Sequence, residues 1–406
     1  MALSVRTLLG ATALWAVASA AQAQTLTLDS ALQAAIANNP DLAAAQWDID
    51  IARGGRQQAG LIPNPVASVD VEDTRRDSRT TSIKLSQALE LGGKRGARIE
   101  VAERAQDAAA LTLEQRRNAL RADVIAGFYG ALRAQERLEL AQRSLALAER
   151  GLVVAKGRVT AGKASPVEAT RAQVQLSEIR LEFNRAQIGL SDAYRSLAAS
   201  TGSAAPDFQS VAAQRQSSPP LPATAQLLAR LEQTPELRLA ELQIQQSEAS
   251  VGLEKAQRIP DLDVSIGSQY DAGVRERVNL VGVSMPIPLF NRNQGNVLAA
   301  SRRADQARDL RNATELRLRT ETRQALDLWQ TANTELQAFN QQILPAAQSA
   351  VDSATRGFEM GKFNFLDVLD AQRTLIAART QYLAATAQAT DAWVRIERIY
   401  GDLARF

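Results

Sequence analysis

The sequence of 406 residues contains no cysteine and no histidine, and only 4% of its residues are aromatic. Disulfide bonds, zinc sites with the usual ligands and catalysis by cysteine or histidine are therefore excluded. A serine or aspartate without such a partner is not an activated nucleophile of the usual kind. The chain is thus not predicted to be an enzyme, and no cofactor is expected.

The charges and the abundant residue types indicate one elongated helical molecule. The 47 basic and 44 acidic residues are mixed along the chain, so no basic block predicts a nucleic-acid partner. Three methionines, without cysteine or histidine, leave no soft ligands for a dedicated metal site. Frequent Ala, Leu, Gln, Arg and Glu are typical of long or coiled helices.

Residues 1–23 are predicted to be a signal peptide, so that the mature chain begins at Gln24. Arg6 supplies a positive charge, residues 8–18 are apolar, and Ala21-Gln22-Ala23 fits a small-x-small cleavage site. A membrane anchor is the alternative, but it needs roughly 20 apolar residues. No later stretch approaches that length.

The chain is predicted to be duplicated. The stretch Gly357–Leu375 has a weaker copy beginning at Gly157, and Gly361-Lys362 corresponds to Gly162-Lys163, 199 residues earlier. Further landmarks recur at offsets of 195 to 199 residues. Each copy reads as a tight turn between long helices, so both turns are expected at the same end of the molecule.

The duplication predicts two repeats of the same element order, separated by a linker rich in Ser, Pro, Ala and Gln. Residue types alternate with period two in the hairpins, while apolar residues recur every seven residues in the helices. The predicted segments are the first repeat 24–202, with a β-hairpin about 66–89 and a helical hairpin about 96–200; the linker 203–222; and the second repeat 223–406, with a β-hairpin about 262–288 and a helical hairpin about 295–402.

In the second repeat, the seam of the long helix is predicted to pass through Phe339, Ile343, Ala346 and Ala350. Pro345 lies within this run and is expected to kink the helix. The seams alternate large and small residues, which lets neighbouring helices approach closely.

The strands of the two hairpins are about ten residues long, which suits tilted strands that cross a bilayer. Four strands leave two open edges, whose unpaired backbone groups are costly in lipid. Three copies would supply twelve strands and twelve long helices, enough for a closed barrel above a hollow helical cylinder. The alternative is a small soluble sheet attached to an ordinary helical bundle.

These features resemble the TolC-type outer-membrane efflux protein family over nearly the whole mature chain. The resemblance is carried by the two halves, by Asn39–Leu42 and by Leu366–Ala371, which reads LDVLDA. Gln87–Arg95, QALELGGKR, is similar to the branch that serves heavy-metal exporters of the cobalt–zinc–cadmium type. The resemblance implies an α+β fold, predominantly α, with two tandem repeats of long antiparallel coiled helices, each carrying a β-hairpin. Three copies would form a 12-stranded outer-membrane β-barrel and a periplasmic α-helical tunnel.

The resemblance also implies a function and a set of partners. We expect an outer-membrane channel of a Gram-negative bacterium, with a large periplasmic portion, that conducts substrates passively to the outside. Its partners would be two further copies, a periplasmic membrane-fusion adaptor, an inner-membrane RND-type proton-driven pump and outer-membrane lipid. Heavy-metal cations are the expected cargo. Organic toxicants or a type I secreted protein are alternatives, and a soluble periplasmic coiled-coil scaffold is an alternative of another class.

Asp367 and Asp370 are the candidate acids of a periplasmic entrance. They lie three residues apart at the start of a predicted helix, hence on one face. Three copies would place six carboxylates around one axis, and such rings select cations in pores. The resemblance puts these acids at the entrance, with Glu168 at the related position of the first repeat. The alternative is that they cap the helix dipole, worth under ~1 kcal/mol each.

Phe358 and Phe363 are the candidate gate residues. In TolC itself, a tyrosine and an arginine of this motif hold the entrance shut, whereas this chain has the two phenylalanines there. An apolar constriction can close a pore by dewetting. Packing of these rings on a helix face is the alternative.

The two turns are the candidate docking surface for the adaptor. Glycine, lysine and serine at these positions are ordinary turn residues and need no further role. The resemblance nevertheless implies contact with the tips of adaptor hairpins. The candidate residues are Gly162, Lys163, Ser165, Gly361 and Lys362, with Arg158 and Arg356 as weaker candidates one helical turn earlier.

Overall fold

The computed structural model describes residues 25–212 and 221–404, so the predicted signal peptide lies outside the described residues. The first repeat contains β1 (Thr25–Leu26), α1 (Leu28–Asn38), α2 (Pro40–Ala59), β2 (Val66–Glu72), β3 (Thr80–Leu89), α3 (Lys94–Thr160) and α4 (Pro166–Ser200), and β4 (Ser210–Val211) follows it in the segment between the repeats. The second contains α5 (Thr224–Ala229), α6 (Pro235–Ala256), β5 (Leu262–Asp271), β6 (Glu276–Ser284), α7 (Gln294–Ala338), α8 (Leu344–Glu359) and α9 (Phe365–Tyr400). Short 3₁₀ turns occupy Leu231–Gln233 and Gly401–Ala404, and a π-helical turn occupies Phe339–Ile343.

The two β-hairpins join into one antiparallel sheet in the order β2-β3-β5-β6. Their junction is the ten-residue pairing of β3 with β5, in which Leu85 lies opposite Ile266. The same row continues to Ala67 on β2 and Val281 on β6. The predicted alternation is therefore in register across the four strands. Most of the apolar side chains share one face, and Val66, Val278 and Leu280 lie on the other.

That apolar face is uncovered in the single chain. Its exposed side chains include Val69, Val71, Ile83, Leu85, Ile266, Val281 and Val283. The opposite face is mainly polar, and there the Lys84 ammonium lies 3.6 Å from the Asp70 carboxylate. Along the described chain, no helix combines the length and the apolar character needed to cross a membrane.

Helix α3 contains 67 residues, which at 1.5 Å per residue makes it about 100 Å long. Near the turn that follows it, α3 packs against α4 through small and branched residues, as the heptad spacing predicts. The seam consists of Ala148, Leu152 and Ala155 on α3 with Ala172, Leu176 and Ile179 on α4. The alanines keep the helix axes close together.

Toward the turns, helices α3, α4, α8 and α9 pack together around one apolar cluster. Helix α3 packs against α4 and α9, and α9 packs in turn against α8. The Arg373 guanidinium of α9 donates to Gln175 Oε1 of α4 over 3.1 Å, so the two hairpins end at the same level. The expectation that both turns lie at one end is confirmed. Helix α4 also meets α9 directly, and Val174 and Gln175 line a cleft there with Leu369.

The predicted seam of the second long helix is wrong beyond Phe339. The π-helical turn Phe339–Ile343 places one extra residue in the helix, which rotates every later residue around the axis. Ile343, Ala346 and Ala350 are consequently exposed, and the buried residues after the turn are Ala347, Val351, Ala354 and Phe358. The π-turn immediately precedes Pro345, whose missing N–H cannot continue an α-helical ladder.

Part of the segment predicted as a linker is packed. Ser210 and Val211 form β4, which pairs in parallel with β1. Val211 and Phe208 are buried, and the Phe208 ring meets Tyr194 edge-on at a centroid distance of 5.1 Å. Phe208 and Val211 are isolated apolar residues in a polar segment and show no periodicity. The sequence pattern therefore does not predict that they are packed.

An ion pair fastens α9 to α3 near the end of the chain. The Arg121 guanidinium lies 2.8 Å from Glu397, whose side chain is only 3% exposed, and 2.9 Å from Asp402. A second pair between the same helices, Arg398 with Asp123 at 2.6 Å, has both side chains more than half exposed. Burial makes the first pair the one on which stability depends.

We predict that Glu397→Ala lowers the free energy of unfolding by about 3 kcal/mol, because it removes the buried partner of Arg121 and leaves only the exposed Asp402 to oppose that charge. Asp123→Ala is the matched control and should cost under ~1 kcal/mol, since exposed ion pairs contribute little. Denaturant unfolding followed by circular dichroism measures both. Equal losses in the two variants would show that the buried pair has no special role.

Candidate functional site

The two helical hairpins turn with the same backbone geometry. After α3, the N–H of Lys163 donates to the carbonyl of Arg158 over 2.8 Å. After α8, the N–H of Lys362 donates to the carbonyl of Gly357 over 2.8 Å. This six-to-one bond, with a five-to-two bond inside it, is the Schellman motif that ends many helices. The sequence match therefore corresponds to one turn structure used twice.

Glycine is required at the centre of each turn. Gly162 and Gly361 have φ angles of 67° and 73°, in the left-handed region where a Cβ is strained. Ser165 and Asn364 are the N-caps of the helices that follow the turns, and they occupy the same position in the two repeats. Gly162, Lys163, Ser165, Gly361 and Lys362 are all exposed at this end of the molecule.

Asp367 caps α9. Its Oδ2 accepts a hydrogen bond from the backbone N–H of Asn364 over 2.8 Å, which is the acid half of a capping box. The carboxylate is exposed, so its negative charge also remains available to solvent at this end. The structure thus shows the capping role that was the alternative, while the entrance role stays a prediction.

Asp370 lies one turn further along α9 and is exposed. It lines a cleft between α4 and α9 together with Arg171, Glu178 and Arg373. The position equivalent to Asp370 in the first repeat, 199 residues earlier, is Arg171. The carboxylates of the turn end are therefore unequally divided between the two repeats.

Glu168 is partly buried and already faces a positive charge. Its carboxylate lies 3.7 Å from the Arg158 guanidinium, and both side chains are about four-fifths buried. The guanidinium carbon of Arg158 also lies 5.1 Å from the centroid of the Phe358 ring, a cation–π geometry. Arg158 thus points between the packed helices, whereas Arg356 is exposed.

The two candidate gate residues occupy different environments. Phe358 is 5% exposed and packs against Phe365 at a centroid distance of 5.6 Å, whereas Phe363 is 47% exposed. The Phe363 ring lies over Gly357, where any Cβ would collide with it. The position of Phe358 favours the helix-packing alternative for that residue, and Phe363 is the ring that reaches solvent.

Three further apolar side chains are exposed at the turn end and were not among the sequence candidates. They are Met360, Leu366 and Val167. Leu366 lies out of phase with Phe365 and Val368, the buried residues of the same helix. An apolar residue off the buried face of a helix is expected to be exposed, and this sequence signal could have identified it.

The QALELGGKR motif forms the junction between the sheet and the helices. The Arg98 guanidinium donates to both oxygens of Glu90, and these hydrogen bonds, the largest cause, lower the pKa of Glu90. Lys94 lies 2.6 Å from Asp261, which also accepts from the backbone N–H of Leu91. The motif therefore fixes β3 to the start of α3 and to the second repeat.

No described residues form a metal site of the usual composition. Across residues 25–212 and 221–404, three or more histidine, cysteine or carboxylate side chains are nowhere grouped as metal ligands. What the geometry offers instead is an elongated molecule with an apolar sheet face at one end and two exposed turns at the other.

A two-repeat chain with a sheet that can face lipid and long helical hairpins is built as a component of an outer-membrane conduit. The sequence pattern of the outer membrane efflux protein family matches residues 31–203 and 228–402. The chain belongs to this family, which is one of efflux proteins and not of enzymes.

Similar proteins agree with this placement. The cobalt-zinc-cadmium resistance protein CzcC of Cupriavidus metallidurans is 40% identical over 376 residues, covering 93% of this chain and 90% of that protein. The nickel and cobalt resistance protein CnrC of the same organism is 27% identical over 285 residues, 68% of each chain.

Solved structures show the same fold. CusC superposes with a TM-score of 0.77 at 21% identity, over 93% of this chain and 92% of that one. The open-state MtrE outer membrane channel of Neisseria gonorrhoeae gives a TM-score of 0.76 at 19% identity, over 91% and 88%.

We predict that Phe358→Ala and Phe363→Ala have separate effects. Phe358→Ala should lower the free energy of unfolding by about 3 kcal/mol, because it empties a packed site. Phe363→Ala should cost less and should raise the resting conductance in planar bilayers if this ring narrows the pore. A resting conductance unchanged by Phe363→Ala would exclude it as a gate.

Proposed function

We propose that this protein is the outer-membrane channel of a tripartite efflux system and conducts heavy-metal cations out of the cell. The observation that carries the proposal is the 40% identity to a cobalt-zinc-cadmium resistance protein across 93% of the chain. Membership of the efflux family supports the channel role, and the resistance names of the relatives support the cargo.

The channel is a trimer in this proposal. Strands β2 and β6 are the outer strands of the sheet and leave unpaired backbone N–H and C=O groups along their free sides. Three copies joined edge to edge would give a closed sheet of twelve strands, in which these groups are paired. The exposed apolar face supports contact with outer-membrane lipid, and the helices then extend into the periplasm.

In this proposal, the periplasmic adaptor binds at the end of the molecule that carries the two helical turns. The exposed turns around Gly162 and Gly361 offer two similar surfaces per chain to a periplasmic adaptor, which would connect the channel to an inner-membrane proton-driven pump. Lys163, Ser165 and Lys362 supply polar contacts there. Asp367 and Asp370 carry negative charge at the same end, where they would attract cations toward the lumen.

The cargo passes without a dedicated binding site in this proposal. The chain has no cysteine or histidine and three methionines, so soft ligands for metals are nearly absent. Choice among metals then belongs to the pump, and the channel contributes passive conduction. A channel for organic solutes or for a secreted protein could therefore have the same helical sequence pattern.

A strain that lacks the gene tests the proposed function. It should lose tolerance to divalent metals such as zinc, cobalt and cadmium, and the wild-type gene should restore it, while tolerance to organic toxicants stays unchanged. Loss of tolerance to organic toxicants alone would overturn the proposed cargo. Recovery of the protein in the soluble periplasmic fraction, and not with the outer membrane, would overturn the channel itself and favour a scaffold.

The entrance charge is tested by Asp370→Asn, because Asp370 makes no contribution to the capping box of α9. We expect lower cation selectivity, measured as a smaller reversal potential across a salt gradient in planar bilayers. Asp192→Asn is the control, since it removes the same charge from an exposed position on α4 far from the turn. Unchanged reversal potentials for Asp370→Asn would contradict an entrance role for this carboxylate.

A further inference from the structure

A central cleft of about 630 Å³ lies between α3, α4 and α9, away from both turns. Its lining is mostly apolar and includes Leu140, Ala141, Ile179, Ala186, Ile376 and Leu383. Clefts of this volume, with an apolar lining and a few polar groups, are the usual form of small-molecule sites. The residues that line the central cleft all lie in the three helices, so it is separate from the turns and from the sheet.

Two glycines leave room in the central cleft. A Cβ added to Gly189 of α4 would meet nothing within 4 Å, so open space borders this residue. A Cβ added to Gly130 of α3 would lie 3.9 Å from Nη2 of Arg133, which places the guanidinium beside this glycine. Glycine inside a helix costs roughly 1 kcal/mol relative to alanine, so neither residue is explained by helix stability.

Arg133 brings a positive charge to the central cleft without a carboxylate bound to it. Its Nη1 donates to the hydroxyl of Thr390 on α9 over 3.3 Å. Asp391 and Glu136 act on Arg133 through their charges and not through hydrogen bonds. Burial, the largest cause, lowers the pKa of Arg133, but a guanidinium stays protonated at neutral pH. Arg133 can therefore donate further hydrogen bonds to an anion in the cleft.

The other charged side chains of the central cleft are engaged with one another. The Arg137 guanidinium lies 2.5 Å from the Glu182 carboxylate, and Arg185 approaches the same carboxylate at 3.9 Å. Three arginines thus share the lining with a single glutamate, and the cleft has a net positive charge. An occupant with a negative charge is complementary to it.

We propose that the central cleft binds an anionic amphiphile, with its carboxylate on Arg133 and its apolar chain between α3, α4 and α9. A guanidinium binds a carboxylate through strong charge-assisted hydrogen bonds. Arg133 and Ser144 both line the cleft and lie about 16 Å apart along α3, a length that accommodates a linear alkyl chain. A fatty acid has this chemistry. The inference goes beyond the proposed function, because it requires neither metal cargo nor a partner.

Photolabelling tests the site. The purified protein in a nonionic detergent is irradiated with dodecanoic acid that carries a diazirine on its chain, and the labelled peptides are identified by mass spectrometry. We expect label on the segments of α4 and α9 that line the central cleft. Unlabelled dodecanoate should compete for this labelling, whereas dodecyltrimethylammonium, with the same chain and a positive head, should not.

Two variants separate recognition of the charge from the space for the chain. Arg133→Gln should weaken binding about tenfold or more, measured as the dodecanoate concentration that halves the labelling, because a hydrogen bond to a charged group is lost. Gly189→Leu should abolish labelling, because its side chain enters the open part of the cleft. Circular dichroism verifies that each variant is folded.

The control is Arg143→Gln, which removes the same charge from an exposed position of α3 outside the central cleft, where Arg143 pairs with Glu139. It should bind like the wild type. A folded wild-type protein without label in the cleft would overturn the proposal, as would equal binding by Arg133→Gln or equal competition by the cationic amphiphile. None of these outcomes bears on metal tolerance or on recovery with the outer membrane, which test the proposed function.

Discussion

The constraint on which the structure depends is that a single chain is open on both sides. At the sheet, β2 and β6 each present a free edge of backbone groups. At the helices, α4 presents exposed apolar side chains, among them Leu181 and Ile188. Both kinds of open surface belong to one elongated chain, and copies joined as proposed above would cover them.

The close approach of the long helices follows from the residues at their contacts. Alanine occupies many seam positions between α3, α4 and α9, which brings the helix axes close and leaves little room for large side chains. A sequence with 4% aromatic residues suits such close packing of helices through small side chains. Near the end of α9, the buried contact of Arg121 with Glu397 joins α9 to α3.

The sequence predicts the structural elements that recur with a fixed period. It does not predict features that depend on contacts between different helices. Heptads and landmarks at constant offsets specify the hairpins and place both turns at one end. The π-helical turn before Pro345 has no sequence period, so the seam beyond Phe339 was predicted one residue out of phase. Phe358 is oriented by a contact with Arg158 of the other repeat, and Glu168 by a contact with the same Arg158 across the first turn; a reading along one helix contains neither contact.

The duplicated turns have diverged in charge while keeping one backbone geometry. In the first repeat, Glu168 faces Arg158, and the pair is largely buried. In the second repeat, the position of Arg158 is taken by Gly357, which carries no charge, and the equivalent carboxylate of Asp367 caps its helix while staying exposed. A ring of three copies would therefore present two chemically different turns in alternation. A partner that contacts all of them must recognise the shared backbone shape and accommodate the difference in charge.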